Sequence, residues 1–212
     1  MGRGKPLSAP MNLIATTLFL LSAFALLGTP GPGIAALLVI GKLHGFMGSL
    51  RFFVGLQAGL AIAAVLCASG LLSVLSAVPT LTWVLTLAAV IYLGWLAWSI
   101  ATSPVAAAAA TGEAVTTFTA GLLLGISNPK AYLAFTTLFA SQTLISGSHA
   151  ADAAFKWLLT IAVILIVDVA WLYAGARLGR VSLSPRIERY INVALGLTIL
   201  AVALLSTRAL LL

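Results

Sequence analysis

Charge is what this chain has least of. Only 7% of its 212 residues are charged, and four of them are acids. A soluble domain carries roughly 25% charged residues. With 62% hydrophobic residues and a mean hydropathy of +1.17, the chain has too little polar surface to fold as a globule in water. The same composition excludes a disordered chain. Eleven basic residues give a net charge of +7, but they are scattered and make no basic stripe, which excludes a nucleic-acid binder. A single cysteine, Cys67, excludes an intramolecular disulfide framework and any two-thiol relay. Alternating polar and apolar stretches are missing too, so a transmembrane β-barrel is excluded. What remains is an all-α integral membrane protein in a lipid bilayer.

A helix crossing about 30 Å of hydrocarbon needs roughly 20 apolar residues. Six such runs are present, at about 11–40, 49–77, 82–102, 117–141, 155–177 and 190–211. They predict six transmembrane spans. The first run is too long for one straight helix and contains Thr29-Pro30-Gly31-Pro32-Gly33. Two prolines remove two backbone donors, and the glycines free the backbone. Span 1 should therefore be broken there. Ser127-Asn128-Pro129-Lys130 predicts a second break, in span 4.

Between the spans lie polar segments. Met1–Pro10 reads as a tail, although Arg3 and Lys5 before an apolar run also fit a signal peptide, and Met11 is an alternative start. The Ala-rich segment at about 103–116 is either a short interfacial helix or a linker. The stretch from Gln142 to Ala154, with Gly147, His149 and Asp152, reads as an exposed turn region. Six basic residues (Lys42, Arg51, Arg177, Arg180, Arg186 and Arg189) fall in the loops after spans 1 and 5, against four (Arg3, Lys5, Lys156 and Arg208) on the other side. The positive-inside rule then places both termini outside.

The chain also repeats itself. Leu26-Leu27-Gly28 recurs as Leu123-Leu124-Gly125, and Pro32 then falls on Pro129 at the same offset. Each copy sits in the first span of a three-span half. Three is an odd number of crossings, so the second half enters from the opposite face. The expected architecture is one transmembrane domain over 1–212, built as two inverted three-helix repeats. Repeat one covers about 11–102, the linker about 103–116 and repeat two about 117–212. Paired broken helices point to a transporter's binding site. A break exposes backbone groups that lipid cannot satisfy. The N-terminal end of a half-helix suits a carboxylate, and unwound carbonyls suit an ammonium or a cation. Such a site matches a zwitterion.

At this point the residues resemble a known family. Pro30-Gly31-Pro32, Asn128-Pro129-Lys130, Val167-Asp168 with Trp171 and Tyr173, and Tyr92-Leu93-Gly94-Trp95 are similar to the lysine-exporter and homoserine/threonine-resistance family of amino-acid exporters. The resemblance covers the chain from Met11 onward. It implies export of amino acids or close derivatives across the bacterial inner membrane, coupled to an ion gradient. Two departures stand out: Gly33 where a polar residue often follows Pro-Gly-Pro, and Ser141-Gln142-Thr143 where Pro-Gln-Phe often ends the span.

The candidate site residues are Asp168, Lys130, Asn128, Ser127, Pro129, Thr29, Pro30, Gly31, Pro32 and Gly33. Lys130 and Asp168 each lie about 20 Å into their spans, near the midplane. An intramembrane charge costs at least about 2.5–3.5 kcal/mol, so each is read as functional by default, with the other as partner. Asn128 and Ser127 either contact substrate or bond the carbonyls freed by the break. The prolines act through backbone geometry. Gln57, Tyr92, Tyr132 and Tyr173 either line a cavity or join helices. The spacings Gly55-x3-Gly59, Gly121-x3-Gly125 and Gly175-x3-Gly179 mark close packing, within the chain or across a homo-oligomer. His44 and His149 read as loop residues.

The leading function is secondary export of amino acids or related metabolites, with no cofactor and with the proton as the expected coupling ion. The alternative is a cation exporter, which needs clustered carboxylate, His or Cys ligands that the spans lack. A thiol–disulfide carrier fails on cysteine count. An intramembrane hydrolase lacks a histidine within a span. No Gly-x4-Gly-Lys-Ser/Thr motif is present, which argues against ATP-driven pumping.

Overall fold

The structure, a computed structural model, describes residues 11–69 and 116–180 together with isolated positions between 91 and 98 and between 186 and 197. Within them lie six helices. The first two, α1 (Leu13–Gly28) and α2 (Pro32–Gly48), meet at an angle of 61°. An unbroken helix follows as α3 (Leu50–Ala68). After it come α4 (Phe118–Ile126) and α5 (Pro129–Phe139), divided at Ser127-Asn128. The last, α6 (His149–Leu178), is 30 residues long. Both expected breaks are present.

Each break has the same cause. Pro32 and Pro129 occupy the opening turn of the half-helices they begin. A missing N–H costs nothing there, and the fixed φ suits a helix start. The residues before them, Gly31 and Asn128, are extended, as the residue preceding proline must be. The two prolines matched by the internal repeat therefore hold the same structural position. A further irregularity falls at Gly45, whose φ of 67° lies inside the last turns of α2. Only glycine takes that angle without strain.

Helices α3 and α6 are each long and apolar enough to cross a membrane, and the bent pair α1 with α2 makes a third candidate. Their outer faces suit lipid: Leu13, Ile14, Leu21, Leu158 and Ile166 are all more than half exposed. In water such faces would drive association. The chain is thus a membrane protein, and every element among its described residues is a helix. Expected spans at 82–102 and 190–211 lie outside the described residues except for isolated positions, and so do the end of span 2 at 70–77, the tail Met1–Pro10 and nearly all of the 103–116 linker.

Glycines set the tightest contacts. A Cβ at Gly55 or Gly59 would lie 2.0 Å from Phe118 O or 2.4 Å from Leu122 O. Reciprocally, one at Gly121 or Gly125 would meet Phe52 O at 2.1 Å or Leu56 O at 2.6 Å. Two small-xxx-small spacings thus face each other, and α3 and α4 touch backbone to backbone. Likewise Gly175 and Gly179 press on Leu38 and Lys42, and Gly41 on Leu172, which joins α6 to α2. The question left open by spacing alone is answered for these glycines: the packing is within one chain.

The segment before α6 corrects one expectation. Residues 142–154 are not an exposed turn region throughout. Helix α6 already begins at His149, and Leu144 and Asp152 are buried. The physical reason is a side-chain clamp. Asp152 Oδ1 accepts from the Leu144 and Ile145 N–H groups at 2.6 and 2.9 Å, and Oδ2 pairs with Lys156 Nζ at 3.0 Å. Lys156 in turn donates to the carbonyls of Phe139 and Ser141. The start of α1 is tied to the same segment by Asn12 N donating to Leu144 O at 2.9 Å. His44 lies within α2 and His149 opens α6, so neither is a loop residue.

Candidate functional site

The two breaks face each other. At the first, α2 opens behind Gly31, which has no side chain to cap it. The first N–H groups of α2 therefore lack a capping acceptor, and the positive end of the helix stays open. At the second, Asn128 caps α5 by accepting from Ala131 N–H through Oδ1 at 3.4 Å. A Cβ on Gly33 would stand 3.6 Å from Asn128 Nδ2, so the two breaks are neighbours.

Lys130 bridges them. Its Nζ donates to the Thr29 carbonyl, an acceptor left free where α1 ends. To reach it the lysine stem crosses Gly31, where a Cβ would lie 2.6 Å from Lys130 Cδ. Gly31 has φ −159°, an ordinary extended value. Its glycine is explained by this close approach rather than by strain.

Asp168 comes from α6 and is 6% exposed. Its Oδ2 accepts from Gln57 Nε2 of α3 at 2.7 Å. Gly31, Gly33, Asn128, Lys130 and Asp168 line one cavity of about 40 Å³, with Leu27, Ile34, Leu60, Phe135, Ile164 and Val167 as its apolar wall. One water occupies about 10–15 Å³ of such space, so this is a crevice. Ligand-enclosing pockets run to roughly 300–1,000 Å³. Admitting a solute requires the walls to part.

Lys130 and Asp168 thus share a cavity, as expected, but they are not joined as an ion pair. Each has another partner, Thr29 O and Gln57. The reason is local: the break leaves an orphan carbonyl within reach of the ammonium, and α3 presents an amide to the carboxylate. The direct ion pair among the described residues is Asp152–Lys156. It escaped the sequence reading because its segment looked like a loop, although Asp and Lys four apart on a helix are a recognisable pairing signal.

The remaining candidates divide. Ser127 Oγ donates to Leu123 O at 2.6 Å and Thr29 Oγ1 to Leu26 O at 2.9 Å, so both hydroxyls are spent on their own helices. Pro30 is exposed, and Pro32 and Pro129 shape the breaks without lining the cavity. Gln57 joins helices, one of its two expected roles. Tyr173 is 49% exposed, and its hydroxyl accepts from Arg177 Nε at 2.7 Å. Tyr92 lies outside the described residues.

One crevice thus brings together a lysine, an aspartate, an uncapped helix N-terminus and an apolar wall. A family model described as LysE type translocator matches residues 24–208. The cysteine/O-acetylserine efflux protein of Escherichia coli strain K12 is 30% identical over 174 residues, 80% of this chain and 85% of that one. Its counterpart in Escherichia coli O139:H28 is 29% identical over 177 residues, covering 81% and 87% of the two chains. The protein of the same description from Shigella flexneri serotype 5b is 30% identical over 174 residues. No solved structure matches. With that match running over both breaks and both buried charges, the chain belongs to the LysE type translocator family, and it is a transporter rather than an enzyme.

Proposed function

We propose that this protein is a secondary exporter of small amino acids or their close derivatives in the bacterial inner membrane, coupled to the proton gradient. The observation that carries the reading is the crevice where both helix breaks meet between Lys130 and Asp168. In this reading the substrate carboxylate lies against the open N-terminus of α2 and Lys130, and its ammonium against Asp168. The apolar wall takes a short, uncharged side chain. Cysteine and O-acetylserine, which the relatives' names print, are both of this kind. They favour amino-acid export over the cation alternative.

The reading includes two inverted repeats. It is supported by the matched positions of Pro32 and Pro129. Helix contacts are less regular, since α3 packs chiefly on the half-helix before its break and α6 chiefly on the one after. Thr29, Pro30, Gly31, Pro32 and Gly33, with Ser127, Asn128 and Pro129, then form the hinges and rim of the site.

An export screen tests the function. Cells expressing the protein are loaded with dipeptides, and O-acetyl-L-serine and cysteine are assayed beside the released amino acids. Faster release of small neutral amino acids than from control cells is expected. Release equal to controls for every amino acid would overturn the reading.

A further inference from the structure

One ridge of α6 carries Asp152, Lys156, Thr160, Ile164 and Asp168 at four-residue intervals, and all five are buried. Rows at this spacing wind slowly around a helix as a continuous ridge. Asp152 and Lys156 are engaged in the clamp before α6. Asp168 is held by Gln57. Between them stands Thr160, 0% exposed, whose hydroxyl has no hydrogen-bond partner. Other helical threonines behave differently. Thr16, Thr17, Thr136 and Thr137 each donate to a carbonyl four residues earlier. An unpaired buried hydroxyl costs stability, and valine would fill the same space without that cost. The residue after it on the ridge, Ile164, lines the Asp168 cavity, whereas Thr160 does not.

We infer that this ridge is the coupling proton's route between the membrane face where α6 begins and Asp168, with Thr160 as an intermediate station and Ile164 as an apolar barrier. The inference rests on the proton-coupled reading above. Thr160 stands eight residues from Asp168, about 12 Å along the axis. That is beyond one hydrogen bond. Water must join them once Ile164 moves aside. The Thr160 oxygen accepts a proton on a lone pair as it releases its own, and the Asp168 carboxylate receives the released proton. The hydroxyl ends each passage unchanged, and no electrons move.

The full chain in liposomes with an internal pH dye tests this. Ile164→Ala is expected to admit protons down an imposed pH gradient with no amino acid present, while the wild type stays tight. Thr160→Val is expected to exchange labelled cysteine at equal concentrations, lose accumulation driven by the pH gradient, and regain it as Thr160→Ser. Melting curves check folding, and the valine variant should melt no lower than the wild type. A proton-tight Ile164→Ala, or gradient-driven accumulation by Thr160→Val at the wild-type rate, overturns the route. The leak assay needs no substrate, so it decides the route even where no amino acid moves. Absence of amino acid flux counts against the exporter reading alone.

Discussion

Lys130 and Asp168 each do two things at once. Lys130 satisfies a carbonyl freed by one break while its stem packs over Gly31 of the same break. Gly31→Ala should displace that stem, so export should fall while the melting temperature changes little. Lys130→Met should lose export and cost about 1.5–3 kcal/mol of stability, the net range for a hydrogen bond to a charged group. Detergent melting curves and an efflux assay check both. Asp168→Asn should insert and melt normally, because an amide still bonds Gln57, yet fail to export against a gradient. Lys130 and Asp168 line one cavity and attract each other across it without a direct ion pair, so their stability changes should not add. The double variant should lose less than the sum of the single losses, and a loss equal to that sum would contradict the arrangement. Asp168 was legible in the sequence as the only acid within a predicted span. Gln57 was legible as a residue that joins helices or lines a cavity, but its pairing with Asp168 was not, because the bond joins residues 111 positions apart. No local pattern encodes that.

Among the elements, α3 and α4 approach each other most closely at facing glycines. Gly55→Ala and Gly121→Ala each place a methyl against a backbone carbonyl closer than atoms can approach. Each should destabilise by about 1–3 kcal/mol or more, as overpacking does. The measurement is folded yield and melting temperature. The clamp before α6 is a second test. Asp152→Asn leaves the buried Lys156 uncompensated, and breaking such a pair costs about 3–5 kcal/mol. Replacing both residues with apolar ones should recover part of that loss. The breaks were readable because proline and asparagine have fixed backbone consequences. The glycine spacings were readable as packing motifs. Which helix each would meet was not, since that depends on chain folding between distant segments. The clamp was hidden by Ser146-Gly147-Ser148, whose composition is that of a surface turn.

For the whole molecule, charge predicts an orientation. Basic residues crowd the ends of α2 and α6, where Lys42, Arg177 and Arg180 lie. The positive-inside rule then turns the opposite ends, with Asn12 and the clamp, to the outside. Reporter fusions at the C-terminus and after α6 check this. Periplasmic activity is expected at the first and cytoplasmic activity at the second; the reverse would overturn the orientation.

The glycine contacts say which parts travel together. Surfaces that meet backbone to backbone have no side chains to repack between them, so they slide at high cost. α3 with α4, and α2 with α6, are therefore expected to move as two blocks, each taking one helix from each expected repeat. In the exporter reading proposed above, alternating access then divides each repeat internally, with the breaks at Thr29 and Asn128 as the seams. A covalent crosslink within a block should leave transport intact, whereas one joining α1 to α5 across the seams should stop it.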